Sequence, residues 1–189
     1  CYATTSFEIT VGNVPVLTPT SSVFICDGFT KKLIADNGFA VYEWSTGETT
    51  QSIIVNQPGT YTVTVKNVYN NFSCDASKDF IVTNSGPPTI IDIATSDWST
   101  TNNSAVINAT GLGTYLYSLD NVNFQTSNTF NNLLPGFYTA YVKDENGCGK
   151  ANEDFVLLNY PKYFTPNGDG YNDTWQIRFS TFEPNLNID

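Results

Sequence analysis

Near the end of the chain, oxygen-bearing side chains fall at alternate positions: Thr165, Asn167 and Asp169, then Gly170 and, three residues on, Asp173. This is the spacing of a calcium loop, with glycine at the sharp turn. The pattern is incomplete, because Thr165 stands where an Asp is usual and Gln176 where a bidentate Glu is usual. Asn167-Gly168 and Asp169-Gly170 are also consecutive turn dipeptides, in which positive φ costs little. Two readings therefore stand: a calcium ion held by Asn167, Asp169 and Asp173, or a hydrogen-bonded Asx double turn with no ion.

Other chemistry is narrowed by what is missing. The 189 residues include no His, which removes the commonest general base, every Ser-His or Cys-His pair and imidazole metal sites. A carboxylate pair could still hydrolyse a glycoside, but it must flank a sugar-sized cleft, which small modules rarely enclose. The expectation is a non-enzyme that requires no cofactor. Eight basic residues in a chain of net charge −10 argue against nucleic acid as a partner, since phosphate contacts need clustered Lys and Arg. The longest apolar runs, such as Phe155–Leu158, are too short to be a transmembrane segment. The lack of an initiator Met and of a signal-peptide pattern predicts a piece of a longer protein.

Cys1, Cys74 and Cys148 follow one another at intervals of 73 and 74 residues, and Phe7, Phe80 and Phe155 trail them at similar distances. A second marker has nearly the same period: Pro58-Gly59-Thr60-Tyr61 recurs as Pro135-Gly136-Phe137-Tyr138. Repeats of this length are tandem domains, not solenoid turns. Residues 1–11 then read as the closing strand of an upstream module, 12–84 and 85–159 as two modules, and 160–189 as a start of something new.

Short alternating runs separated by turn dipeptides make both modules all-β sandwiches. The first has strand candidates at 14–17, 22–25, 32–35, 40–44, 51–55, 60–67 and 78–82. The second has them at 89–95, 104–110, 114–118, 129–130, 137–143 and 153–158. Tyr61 and Tyr138, just after Pro-Gly, are candidates for tyrosine corners or for plain core aromatics. Cys26 and Cys74 flank Trp44 in the order of an immunoglobulin sandwich, which predicts a disulfide between them and an oxidising, exported location. That bridge would close a loop of 48 residues, worth about 4 kcal/mol by chain entropy. Cys148, alone in its module, is expected to be a free thiol. Cys1 reads as the end of the earlier module rather than as a lipidated terminus. The sequons at Asn71, Asn102 and Asn108 are assigned no function.

The stretch from Tyr160 carries an aromatic pair, Tyr163-Phe164, then Thr165-Pro166-Asn167-Gly168-Asp169-Gly170, then Asn172-Asp173 and Trp175. It resembles the start of the type B C-terminal sorting domain of type IX secretion substrates, the gliding-motility-associated C-terminal domain. The resemblance covers Tyr160 to Asp189, about the first third of such a domain. It implies that Phe164, Thr165, Pro166, Asn167, Gly168, Asp169, Gly170, Asn172, Asp173 and Trp175 belong to a secretion signal. The partners it implies are the type IX translocon and accessory outer-membrane barrel proteins.

Residues 42–53 and 59–65 resemble the PKD-like and immunoglobulin-like repeats of bacterial surface proteins. Tyr115–Asp120 and Asp144–Cys148 look like a relative often found directly before that sorting domain. The fold these readings imply is all-β: tandem immunoglobulin-like (PKD-like) β-sandwich modules followed by the first strands of a sorting domain. Two functions are weighed. One is an adhesin-like stalk at the cell surface, on the extracellular side of the outer membrane, exported through its C-terminal signal. The other is a carbohydrate-binding accessory region of a secreted enzyme, meeting an extracellular glycan through Trp98, Tyr115 or Tyr117.

Overall fold

The computed structural model describes residues 4–5, 8–99, 101–159, 165–170 and 173. The chain divides into two compact units, Cys1–Asn84 and Ser85–Asp189. Among the described residues every regular element is a strand, and no helix is long and apolar enough to cross a membrane.

The first unit contains β1 (Ser21–Cys26), β2 (Lys31–Ile34), β3 (Val41–Trp44), β4 (Ser52–Val55), β5 (Gly59–Val68) and β6 (Ser73–Ser85). One sheet has the order β1-β6-β5-β3 and the other pairs β2 with β4. Alternation decides which side chains enter the core: on β5, Val63 and Val65 are fully buried, whereas Thr62 and Thr64 bond across to Asp79 and Ser77 on β6. Such cross-strand pairs are the sheet's unit of stabilisation. Leu33, Ile53 and Val55 from the smaller sheet share a core with Trp44, Val63, Val65, Phe80 and Val82 from the larger. Trp44 lies 5.5 Å from the Phe80 ring, and its Nε1 donates to the Thr50 carbonyl at 2.8 Å.

The second unit contains β7 (Thr89–Ser96), β8 (Asn103–Thr110), β9 (Tyr115–Ser118), β10 (Thr129–Leu133), β11 (Gly136–Asp144) and β12 (Lys150–Leu157). Its sheets have the orders β10-β8-β7 and β12-β11-β9. Ala105 and Ile107 of β8 share a core with Ala140 and Val142 of β11 and with Phe155 and Leu157 of β12. Each unit is an immunoglobulin-like sandwich: two sheets, with the third, fifth and sixth strands together in one of them.

Both tyrosine corners form. The Tyr61 hydroxyl donates to the Gln57 carbonyl at 3.0 Å, and that of Tyr138 to the Leu134 carbonyl at 2.8 Å. Each tyrosine enters the fifth strand of its unit and pairs with a phenylalanine, Phe80 or Phe155.

Three expectations change. Residues 14–17 form no strand: Pro15 offers no N–H and is buried, so the segment is an extended strap with Val14 and Val16 exposed. The described residues among 1–11 form no strand either, and Ile9 and Val11 are exposed. An alternating run becomes a strand only where another strand supplies its hydrogen bonds.

The disulfide is the third. Cys26 and Cys148 are disulfide-bonded and Cys74 is a free thiol, so neither the Cys26–Cys74 bridge nor the free thiol expected at Cys148 is present. Geometry explains the missing bridge. The strap before β1 meets β6 where Lys78 bonds to Thr18, and Cys26, ending β1, lines a cleft with Asn84. β1 therefore runs alongside β6 towards its C-terminal end, whereas Cys74 begins β6. Ten residues of strand are about 33 Å, far beyond the Cα separation of about 7 Å that a bridge spans. The positions of an immunoglobulin inter-sheet bridge lie on the second and fifth strands, and here those strands bury Leu33, Val63 and Val65.

Candidate functional site

The acidic turn near the end of the chain is described from Thr165 to Gly170 and at Asp173. Phe164, Asn172 and Trp175, named with it as recognition residues, lie outside the described residues. Asp173 organises the rest. Its Oδ1 accepts the N–H groups of Asn167 at 3.0 Å and Gly168 at 2.7 Å, and its Oδ2 accepts that of Gly170 at 2.7 Å. Asn167 donates its side-chain amide to Asp169 Oδ2 at 2.8 Å and accepts the Asp169 N–H at 3.3 Å. Gly168 and Gly170 take φ of 74° and 84°, the left-handed region that other residues enter at a cost. Nothing stands within 4 Å of a side chain added at either glycine, so backbone strain alone would oppose a substitution.

These bonds hold the carboxyl of Asp173 below the usual carboxylate range, the Gly168 and Gly170 N–H groups foremost. They also bear on calcium. A carboxylate has about four lone-pair sites, and three at Asp173 point at N–H donors. A calcium ion wants six to eight oxygens and would have to replace that arrangement. The described turn is a hydrogen-bonded acidic knob whose conformation depends on two glycines and one aspartate.

A second acidic turn escaped the sequence reading. Asp120 Oδ1 accepts the N–H groups of Val122 at 2.9 Å and Asn123 at 2.7 Å and the Ser118 hydroxyl at 2.8 Å. Its Oδ2 takes the Asn123 side-chain amide at 2.6 Å. Asn123, through side chain and backbone, is the chief cause of a pKa far below the ordinary Asp value. The signal in the sequence is Ser118-x-Asp120-x-x-Asn123, which we read only as part of a module motif.

In the first unit Asp36 ties strap to sheet. Its carboxylate accepts the Thr18 hydroxyl at 2.9 Å and stands 3.5 Å from the Lys78 ammonium. Burial opposes its ionisation, but the Thr18 hydroxyl and N–H and the Lys78 charge outweigh it, and its pKa is lowered. In the second unit the buried carboxylate of Asp144 accepts the Ser85 hydroxyl at 2.7 Å and the Cys148 N–H at 3.0 Å. Both arrangements hold a lead-in segment onto its sandwich and offer no reactive group. No cluster of three or more His, Cys, Asp or Glu that could hold a metal is found among the described residues.

Of the aromatics suggested for glycan contact, two belong to the core and one is partly exposed. Tyr115 and Tyr117 pack against the core of the second unit, and burial, the Asp144 charge and Tyr117 push the Tyr115 hydroxyl pKa up. Trp98 is 40% exposed and takes a φ of 71°, with its N–H on the Leu158 carbonyl at 3.1 Å. A different aromatic cleft, of about 360 Å³, is lined by Phe137, Tyr138, Tyr141, Leu119, Thr139 and Asp154 with Phe155. Its Thr139 hydroxyl bonds to Asp154 at 2.7 Å. The period-two alternation of Phe137, Thr139 and Tyr141 against buried Ala140 and Val142 is the sequence signal for it.

No family model and no curated protein matches the chain. Similar solved structures include the amphioxus IgVJ-C2 molecule, 14% identical over 71% of this chain and 99% of that one, TM-score 0.37. Extracellular domains 3–5 of Drosophila OTK are 14% identical over 77% of this chain and 62% of that one, TM-score 0.43. The I-band fragment I67–I69 of titin is 16% identical over 76% and 65%, TM-score 0.39. The chain thus spans less than two thirds of the OTK and titin fragments. At such identities and scores the likenesses carry no argument about function, and the sandwich assignment rests on the strand pairing itself.

Proposed function

We propose that this chain is a stretch of an exported surface protein, in which tandem immunoglobulin-like modules form an adhesin-like stalk and the segment from Tyr160 begins a type B sorting domain. The observation that carries the reading is the turn at Thr165–Asp173: the family-like motif coincides with a conformation set by Asp173 on three backbone N–H groups. A hydrogen-bonded turn of that kind presents a recognisable edge to a partner. Edge-strand addition is one mode by which the type IX translocon or an accessory outer-membrane barrel would take it. The oxidised Cys26 and Cys148 fit an exporting route through an oxidising compartment.

The test is export. A reporter fused to the complete terminal domain beginning at Tyr160 should reach the cell surface, and the Gly168→Val, Gly170→Val double variant should not. Each Val costs about 1–3 kcal/mol at positive φ. Equal surface display of both fusions would mean that the turn is only a linker.

A second reading is favoured by the aromatic cleft beside Asp154. Rings with an adjacent carboxylate and hydroxyl suit the apolar face and the hydroxyls of a sugar, as in an accessory glycan-binding region. Binding of the purified chain to an oligosaccharide panel, lost in Tyr141→Ala, would favour it over the stalk.

A further inference from the structure

Asn-Gly occurs three times in the chain, at Asn37-Gly38, Asn146-Gly147 and Asn167-Gly168. In such a pair the glycine nitrogen and the asparagine side-chain carbonyl carbon can close a five-membered ring, and glycine puts no Cβ in the way. All three glycines take left-handed φ, at 95°, 82° and 74°, with nothing within 4 Å of an added Cβ. The turns therefore differ in hydrogen bonding, not in this feature of the backbone.

Two of the pairs are held. The Gly168 N–H donates to Asp173 Oδ1 at 2.7 Å, and the Asn167 amide donates to Asp169 Oδ2 at 2.8 Å. The Gly147 N–H donates to the Asp144 carbonyl at 3.1 Å, and the Asn146 amide to Ser85 Oγ at 3.2 Å. At the third pair both residues are exposed, and among the described residues nothing bonds to the Gly38 N–H or to the Asn37 side chain. Its flanks are fixed all the same. Tyr42 donates its hydroxyl to the Asp36 carbonyl at 3.2 Å and accepts the Phe39 N–H at 3.4 Å. The turn is pinned at both ends and bare in the middle.

We propose that Asn37 is a site of spontaneous deamidation, and that the hydrogen bonds around Asn146 and Asn167 protect those two from it. The Gly38 nitrogen gives its proton to hydroxide and attacks Asn37 Cγ. The new N–C bond closes a succinimide, the Cγ–Nδ2 bond breaks, and the amide nitrogen takes a proton from water and leaves as ammonia. Water then adds to either ring carbonyl. One opening leaves an aspartyl side chain on an unchanged backbone. The other leaves isoaspartyl, with the chain routed through Cβ and Cγ. Nothing is oxidised or reduced, and water is the only co-reactant. Attack within one turn is intramolecular, so it needs no catalytic group.

The position matters because Asp36 precedes it. The Asp36 carboxylate holds the strap through Thr18 and stands beside Lys78. Isoaspartyl adds an atom to the backbone inside the turn that Tyr42 pins, so the Asp36 carbonyl and the Phe39 N–H no longer meet at one hydroxyl. Asp36 then loses its fixed place, and the strap, whose Leu17 packs against the core, is loosened. The aspartyl product keeps the backbone length and the tie.

The test ages the full 189-residue chain in neutral to mildly alkaline buffer and maps its peptides at intervals, with isoaspartyl detected by enzymatic methylation. Conversion is expected at Asn37 about tenfold or more ahead of Asn146 and Asn167, since each of those must first give up two bonds. Asp173→Ala removes the acceptor at Gly168 and should speed Asn167 severalfold, and Asn37→Gln should abolish conversion at its turn. Conversion at Asn146 or Asn167 as fast as at Asn37 would overturn the proposal. So would an unchanged Asn37 when a short peptide of the same turn converts, or an Asp173→Ala chain in which Asn167 stays slow. Chymotrypsin should cut after Leu17 faster in the isoaspartyl fraction than in fresh chain, and no faster in Asn37→Asp. Equal cutting in all three would overturn the loosening of the strap.

Discussion

Tyr61 donates its hydroxyl to the carbonyl of Gln57, four residues upstream, at 3.0 Å. Tyr138 makes the same bond to Leu134 at 2.8 Å. Each closes the bend that leads into the fifth strand of its unit. A net hydrogen bond contributes about 1 kcal/mol, so Tyr61→Phe and Tyr138→Phe should each lower stability by that amount while keeping the ring in place. Urea denaturation would show it as a fall in midpoint at unchanged slope. No shift would mean that the rings, not the hydroxyls, hold the corners.

The core of the first unit should respond far more. Leu33 is buried between the sheets at 2% exposure, and Leu33→Ala should cost about 2–5 kcal/mol, transfer and cavity together. That is a large share of a small domain's stability. The denaturation midpoint read by Trp44 fluorescence measures it. A loss below about 1 kcal/mol would mean that the sandwich is not packed around Leu33.

The cysteine assignments predict a simple pattern for the isolated 189-residue chain. Cys74 should react with maleimide without reductant, and Cys26 and Cys148 only after reduction. Alkylation of Cys26 in the unreduced chain would contradict the structure.

Asp120 and Asp173 set a dependence on acid. Both have folded pKa values below the ordinary 3.8. Their contribution is therefore fully present above the unfolded value of about 3.9 and is lost as pH falls through the folded one. Carboxyl-carbon NMR should show both midpoints below 3.8, with the turns opening only in stronger acid. A midpoint at or above the ordinary value would mean that the N–H groups do not point at these carboxylates.

Much of the sandwich was legible because alternation and turn residues are local. Pro58-Gly59 and Pro135-Gly136 announced β5 and β11, and the corner tyrosines could be named before any coordinate. β6 was drawn too short because Ser73, Asp75 and Ser77 read as loop, although the ladder of β5 supplies partners for them down to Ser73. The bridge was misread for a deeper reason. The order Cys26, Trp44, Cys74 says that the cysteines flank the tryptophan in sequence, but not which end of a sheet each occupies. At the candidate site the glycines and Asn-Asp pairs were visible as a turn. That the Asp173 oxygens face three backbone N–H donors depends on backbone directions, which spacing does not encode.

The central claim is tested most directly by removing the segment from Tyr160 onward from the full-length protein and measuring surface accessibility in intact cells. The account predicts that the complete protein is cut by external protease, whereas the truncated form is protected and accumulates inside the outer membrane. Equal cleavage of both forms would contradict it, because the route to the surface would then not depend on that segment.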